Sequence, residues 1–129
     1  MALDPVRVIV VDDVADVADT LAIHLELDGY DVCTAYDGLQ ALSKIEEFTP
    51  DCILFDIDMP GLDGFELAKQ VRERHGNDIV LIAVTARGPQ DPRVAGAFVV
   101  ADHYLTKPVY IAVLRKVLPP LRAGSAARS

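Results

Sequence analysis

Short apolar runs alternate along the chain with stretches whose apolar positions recur every three or four residues. Val6–Val11 is a β-branched run broken only by Arg7, the pattern of a strand buried on both faces of a parallel sheet. Asp12-Asp13 ends it. From Val14 to Asp28, the residues Val14, Val17, Leu21 and Leu25 fall at helical spacing, and Gly29 supplies the stop. Asp31–Tyr36 predicts a second short strand and Asp37-Gly38 a turn. Leu39, Leu42, Ile45 and Phe48 outline a second helix that stops near Pro50. Cys52–Asp56 reads as a third buried strand running into the turn-forming segment Met59-Pro60-Gly61-Leu62-Asp63-Gly64. A third helix is expected over about Phe65–Arg74, with Leu67, Ala68 and Val71 inward, and a fourth strand over Ile79–Val84. Pro89, Pro92 and Gly96 disfavour a long helix in Arg87–Val100. His103–Thr106 is a fifth strand. Pro108 then opens a last helix through about Val117, which Pro119-Pro120 stops.

Five strand–helix alternations, with no repeat and no internal linker, predict an α/β domain. Its sheet is parallel and doubly wound, covered by helices on both faces through right-handed crossovers. One domain is expected over residues 1–122, with the small, polar Ala123–Ser129 as a tail or the start of a linker. Composition changes this little, since 51% hydrophobic and 25% charged residues are an ordinary globular balance. Charge says more. Twelve Lys+Arg against 20 Asp+Glu leave −8, which repels phosphate backbones and argues against nucleic-acid binding by this domain. Runs such as Val8–Val11 and Ile79–Val84 are far below the roughly 20 residues that cross a bilayer. Asp4 and Pro5 interrupt any signal-like start, so a soluble, cytoplasmic protein is expected. Cys33 and Cys52 would lie on strands separated by a third, about 9–10 Å apart, too far for a disulfide.

The chemistry concentrates where strands end. Asp12 and Asp13 follow strand one, Asp56 ends strand three, Thr85 follows strand four and Lys107 follows strand five. With strands ordered 2-1-3-4-5, the ligand crevice of a doubly wound sheet lies between strands one and three, where these groups would converge. Clustered carboxylates raise one another's pKa unless a cation neutralises them, and a shallow all-oxygen site suits Mg²⁺. A carboxylate can attack phosphorus to give an aspartyl phosphate, with Lys107 and Thr85 contacting the incoming oxygens. Taken singly, each residue has a plainer explanation. Asp12-Asp13 could cap the first helix, Asp56 could simply end a strand, and Lys107-Pro108 could be a solvated turn. Their co-occurrence at the ends of different strands favours one site.

The chain resembles the receiver domains of two-component response regulators, which share a flavodoxin-like (βα)5 fold. The resemblance rests on Asp12-Asp13 after Val-Ile-Val-Val, on Leu-Phe-Asp56-Ile-Asp-Met-Pro-Gly-Leu-Asp-Gly, on Thr85-Ala86, and on Tyr104-Leu-Thr-Lys107-Pro108. It covers roughly residues 6–118. It implies a signalling switch in which Asp56 accepts a phosphoryl group from a histidine kinase or phosphotransfer protein. It also implies that Asp13 and Asp56 coordinate Mg²⁺ with the backbone carbonyl of Asp58, while Asp12 acts largely through water. Lys107 would contact the phosphoryl oxygens, Thr85 would move toward them, and Tyr104 would swing inward as the switch aromatic. The face formed by the fourth helix, fifth strand and fifth helix would then regulate a downstream protein target. Such a domain catalyses only its own phosphorylation and dephosphorylation, and whether phosphorylation brings dimerisation stays open.

Three features depart from the family pattern. Phe98-Val-Val-Ala-Asp102 lacks the glycine usual before the Ala-Asp pair, so a short, shifted or mobile fourth helix is expected. Asp58 stands at a position that varies among receivers and affects phosphoryl lifetime, and it is placed to pair with Arg87 across the site mouth. No output domain follows, which favours a stand-alone relay over a receiver cut from a hybrid kinase or multidomain regulator. Two rivals remain. Ile-Leu-Phe-Asp56-Ile-Asp58 also resembles the nucleophile motif of haloacid-dehalogenase-type phosphatases, but Pro60 is out of place there and Asp12-Asp13 would have no role. A receiver-like module that is never phosphorylated typically lacks one of the acids, the lysine or the hydroxyl, all kept here. His24, His75 and His103 are too scattered to form a phosphodonor or metal cluster.

Overall fold

The computed structural model describes residues 5–87, 90–92 and 95–121. Five strands alternate with five helices. They are β1 (Arg7–Val11), α1 (Ala15–Asp28), β2 (Asp31–Ala35), α2 (Gly38–Phe48) and β3 (Cys52–Asp56), then α3 (Gly64–His75), β4 (Val80–Thr85), α4 (Ala95–Val100), β5 (His103–Thr106) and α5 (Ile111–Val117). The strands form one parallel sheet in the order β2-β1-β3-β4-β5, as the alternation predicts. Expected tail residues 123–129 lie outside the described residues.

Strand alternation divides the core into two layers. Ile9, Val11, Ile53, Phe55, Leu81 and Ala83 point to one face, where α2 brings Ala41 and Ile45 and α3 brings Leu67, Ala68 and Val71. Val8, Val10, Leu54, Ile82 and Val84 point to the other, against Ala18 and Leu25 of α1 and Leu114 of α5. Every residue of β3 is buried, which is why its sequence shows no polar alternation. Full burial of Ile53, Leu54 or Phe55 contributes about 1.5–3 kcal/mol each. Side-chain caps fix two helix starts. Asp37 accepts from Gln40 N–H at 2.7 Å, and Asp63 accepts from Glu66 N–H at 2.9 Å. Cys33 and Cys52 are free thiols on strands flanking β1, as expected.

Two details differ from the sequence expectations, and the plainer reading of Asp12-Asp13 as a helix cap falls away. The inward face of α1 is Ala18, Ala22 and Leu25, whereas Val14 and Val17 are 50% and 39% exposed. The small alanines let the helix lie close to β1 and β2, and that rotation carries both valines to the rim. Asp12-Asp13 do not cap α1, whose N-cap is Val14 with no side-chain cap. The last helix begins at Ile111 and not at Pro108. The Lys107–Pro108 peptide is cis, Tyr110 is extended, and the Tyr110 carbonyl takes the Val113 and Leu114 N–H groups at 3.0 Å. α4 has six residues, as short as expected for this segment, with Ala95 N–H donated to the Asp91 carbonyl at 3.1 Å.

Candidate functional site

β1 and β3 are neighbours in register, Val11 opposite Phe55, so Asp12 and Asp56 leave the sheet side by side. Asp12 is fixed by its own N–H on the Ala35 carbonyl (3.1 Å) and by Oδ1 accepting Val14 N–H (2.9 Å). Asp12 and Asp56 are buried, Asp13 is exposed, and carboxylate oxygens of all three lie within 4.8 Å of one another. Lys107 follows β5, and its N–H on the Thr85 carbonyl (2.9 Å) brings it to the end of β4. From there Nζ reaches Asp56 Oδ2 at 3.0 Å and Asp12 Oδ2 at 3.4 Å. The other oxygen of Asp56 accepts Asp58 N–H at 3.1 Å.

Burial pushes the Asp56 carboxyl above its ordinary range, and the Asp58 N–H and the Lys107 ammonium only partly offset it while Asp12 adds to it. Burial alone would depress Lys107, yet its contacts with Asp56 and Asp12 outweigh this and hold its ammonium above the usual value. These directions are compatible. Lys107 answers to two carboxylates, whereas Asp56 carries the cost of its burial and of a like-charged neighbour. A hard oxygen donor set with one exposed carboxylate suits Mg²⁺, which keeps several waters. Asp12, Asp13 and Asp56 could hold such an ion, and the Asp58 carbonyl lies on the same loop.

The loop itself is fixed by glycine. A Cβ on Gly64 would lie 2.5 Å from Ile57 Cα and 2.6 Å from the Asp56 carbonyl oxygen, so α3 starts pressed against the end of β3. Gly64 N–H is donated to the Ile57 carbonyl at 3.0 Å. Gly61 turns the loop with φ +74°.

Asp12, Asp13, Asp56 and Lys107 are thus brought together as the strand-end pattern predicts. Thr85 is fully buried at the end of the adjoining strand, with Oγ1 accepting Arg87 N–H at 2.9 Å. Tyr104 stands opposite Ala83 on the edge strand and is 49% exposed. The expected Asp58–Arg87 pair is present, with Nε and Nη2 at 3.0 and 2.9 Å from Asp58 Oδ2. Asp91 adds a third member, 3.3 Å from Arg87 Nη1. Only the four-residue spacing of Arg87 and Asp91 could have signalled it, inside a segment whose prolines spoke against a helix. A cavity of about 650 Å³ between α1 and the β5–α5 connection was also missed. Its walls include Val17, Leu21, Pro108 and Val109, and Asp12 and Asp56 line its floor.

Comparison with known proteins places this arrangement. A family model described as the response regulator receiver domain matches residues 8–119. The response regulator MprA of Mycolicibacterium vanbaalenii is 40% identical over 131 residues, covering 95% of this chain and 56% of that protein. MprA of Mycobacterium sp. strain KMS is 41% identical over 119 residues, covering 92% and 50%. The chain spans about half the length of the curated relatives it matches. Among solved structures, the chemotaxis protein CheY4 of Vibrio cholerae superposes with a TM-score of 0.77 at 30% identity, covering 88% of this chain and 98% of that one. TrrA of Thermotoga maritima, solved in complex with Mg(2+)-BeF, gives 0.73 at 31% identity, covering 86% and 94%.

Proposed function

The chain belongs to the response regulator receiver domain family of two-component signalling, and on that premise we propose that it is a switch thrown by phosphorylation of Asp56. One observation carries the reading. A single ammonium, Lys107 Nζ, bridges the buried Asp56 and Asp12 carboxylates beside the exposed Asp13, so a nucleophile, a cation site and a countercharge share one crevice.

In this proposal an Asp56 carboxylate oxygen forms a bond to the phosphorus of a phosphohistidine donor. The P–N bond breaks, and its electron pair stays on the imidazole. Asp12, Asp13, Asp56 and the Asp58 carbonyl would hold Mg²⁺, which when bound spreads the charge of the transferring group. Lys107 trades its contact with Asp56 for one with the phosphoryl oxygens. The Thr85 hydroxyl, whose oxygen accepts the Arg87 N–H at rest, turns to donate its proton to the same oxygens, and Tyr104 turns inward from its exposed position on β5. A new dianion held by contacts that exist in only one conformation is what shifts a two-state equilibrium. The partners are a histidine kinase or phosphotransfer protein upstream and a protein target at the α4–β5–α5 face downstream. The domain turns over no external substrate and works in the cytoplasm; among the described residues, no helix is long and apolar enough to cross a membrane.

The test uses phosphoramidate, a small donor with a P–N bond, together with Mg²⁺. Hydroxylamine-labile label should appear on the wild type and be absent from Asp56→Asn. Equal labelling of the two, or release of phosphate from small esters at many turnovers, would overturn the proposal.

A further inference from the structure

Two arginines anchor the chain on either side of α4, and they do so differently. At the far end Arg72 of α3 donates Nε to the Val100 carbonyl (3.1 Å) and Nη1 to the Gly76 and Ile79 carbonyls (3.0 and 2.9 Å). Its Nη2 donates to Asp102 Oδ2 (2.7 Å), which also accepts Leu81 N–H at 2.8 Å. That end is stitched to main-chain atoms remote from the acceptor. At the near end the Arg87 guanidinium is held by the carboxylates of Asp58 and Asp91, at 2.9 and 3.3 Å. Its backbone N–H is donated to Thr85 Oγ1 at 2.9 Å, which fixes the direction of that side chain, and Asp58 donates its own N–H to Asp56 Oδ1 at 3.1 Å. This anchor is made of charges and runs through a residue bonded to the acceptor.

We propose that the Asp58–Arg87–Asp91 triad is a latch that holds Arg87, just past β4, in its resting place, with Arg72 fixing the far end of α4, and that charge added at Asp56 opens it. The inference rests on the reading of Asp56 as the phosphoacceptor. An aspartyl phosphate adds about 1.5–2 negative charges beside Asp58. The added charge repels the Asp58 carboxylate and offers Arg87 phosphoryl oxygens that suit its planar fork. Either response takes Arg87 off Asp58. When its backbone follows, the Thr85 side chain is no longer held toward the Arg87 N–H and can turn its hydroxyl donor to the phosphoryl oxygens. The latch is thus a positioning device, and no latch side chain reacts. Linkage makes it testable, because weakening the latch without touching Asp56 must raise the affinity for a phosphoryl mimic.

Asp91→Asn is the cleanest perturbation, since Asp91 lies outside the carboxylate cluster and the variant keeps the backbone carbonyl that anchors Ala95. The full chain is titrated with beryllofluoride in Mg²⁺, and amide exchange of the β4–α4 residues is followed by NMR. In the wild type these amides should change on binding. Asp91→Asn and Asp58→Asn should show part of that change without ligand, and bind the mimic about two- to fivefold more tightly, the scale of an exposed ion pair. If the wild type responds while both variants keep its resting pattern and its affinity, the latch is wrong and the acceptor reading stands. A wild type that does not bind beryllofluoride would sink the acceptor reading and the latch with it.

Discussion

Replacing Lys107 by Met removes the cation from the acceptor cluster while keeping most of the side-chain volume. Nζ lies 3.0 Å from Asp56 Oδ2 and 3.4 Å from Asp12 Oδ2, and both carboxylate side chains are only 5% exposed. At an effective dielectric of about 20, each contact amounts to roughly 5 kcal/mol of Coulomb energy. Desolvation of the three charges cancels most of it. The Lys107 side chain keeps 30% of its surface in water, so screening removes more. What remains is the cost of leaving two buried carboxylates without their cation, a net loss of about 1–2 kcal/mol at pH 7. Urea denaturation in EDTA measures it. With a typical slope for a small domain, the midpoint should fall by roughly 0.5–1 M. Mg²⁺ should then stabilise Lys107→Met by more than it stabilises the wild type, because the ion no longer competes with the ammonium. A midpoint equal to wild type in EDTA, or the same Mg²⁺ increment in both proteins, would refute the view of Lys107 as the resident countercharge.

The remaining predictions concern pH and packing. Burial above all, with Asp12 adding to it, holds the folded-state pKa of Asp56 above its unfolded value, so the folded state binds the extra proton and stability falls as pH climbs from the unfolded value through the folded one. Asp56→Asn should lack that fall and be the more stable protein at neutral pH in EDTA; thermal melts from pH 4 to 7 with parallel slopes would contradict this. Asp102 has the opposite sign. Burial would raise it, but the Leu81 N–H and the Arg72 guanidinium outweigh that and hold it below its usual range. Its contribution is present above the unfolded pKa and is lost as pH falls through the lowered folded value. Asp102→Asn should therefore cost about 1 kcal/mol at pH 7, discounted for its partial exposure, and converge with wild type in strong acid. Gly64→Ala forces a Cβ to within 2.6 Å of the Asp56 carbonyl oxygen and should cost about 1–3 kcal/mol in urea melts. A change within about 0.5 kcal/mol would mean that the β3–α3 junction yields easily.

The sheet order and the crevice were legible because both follow from local patterns. Buried strands announce themselves as short apolar runs, after which Asp12, Asp56 and Thr85 stand, while Lys107 follows the short, mostly exposed β5. The rotation of α1 was not legible. Val14, Val17, Leu21 and Leu25 make a plausible stripe, and only the approach of the helix to β1 and β2 selects Ala18 and Ala22 for the inside. The start of α5 was hidden for a similar reason. Proline favours the first turn of a helix, but the chain after β5 must first bring Lys107 to Asp56, which leaves Pro108 to Tyr110 extended or turning. Asp58 and Arg87 could be paired from strand order alone, because β3 and β4 are neighbours. Asp91 could not, since it lies on no strand whose pairing would place it. Tyr104 was placed correctly on the edge strand, which presents its ring half exposed.

The most direct test of the central claim is intact mass after incubation with acetyl phosphate and Mg²⁺, run for the wild type, for Asp56→Asn, and for the wild type in EDTA. The account predicts a transient gain of one phosphoryl group in the first sample and none in the other two. A stable adduct on Asp56→Asn, or an adduct formed equally well without the metal, would contradict it.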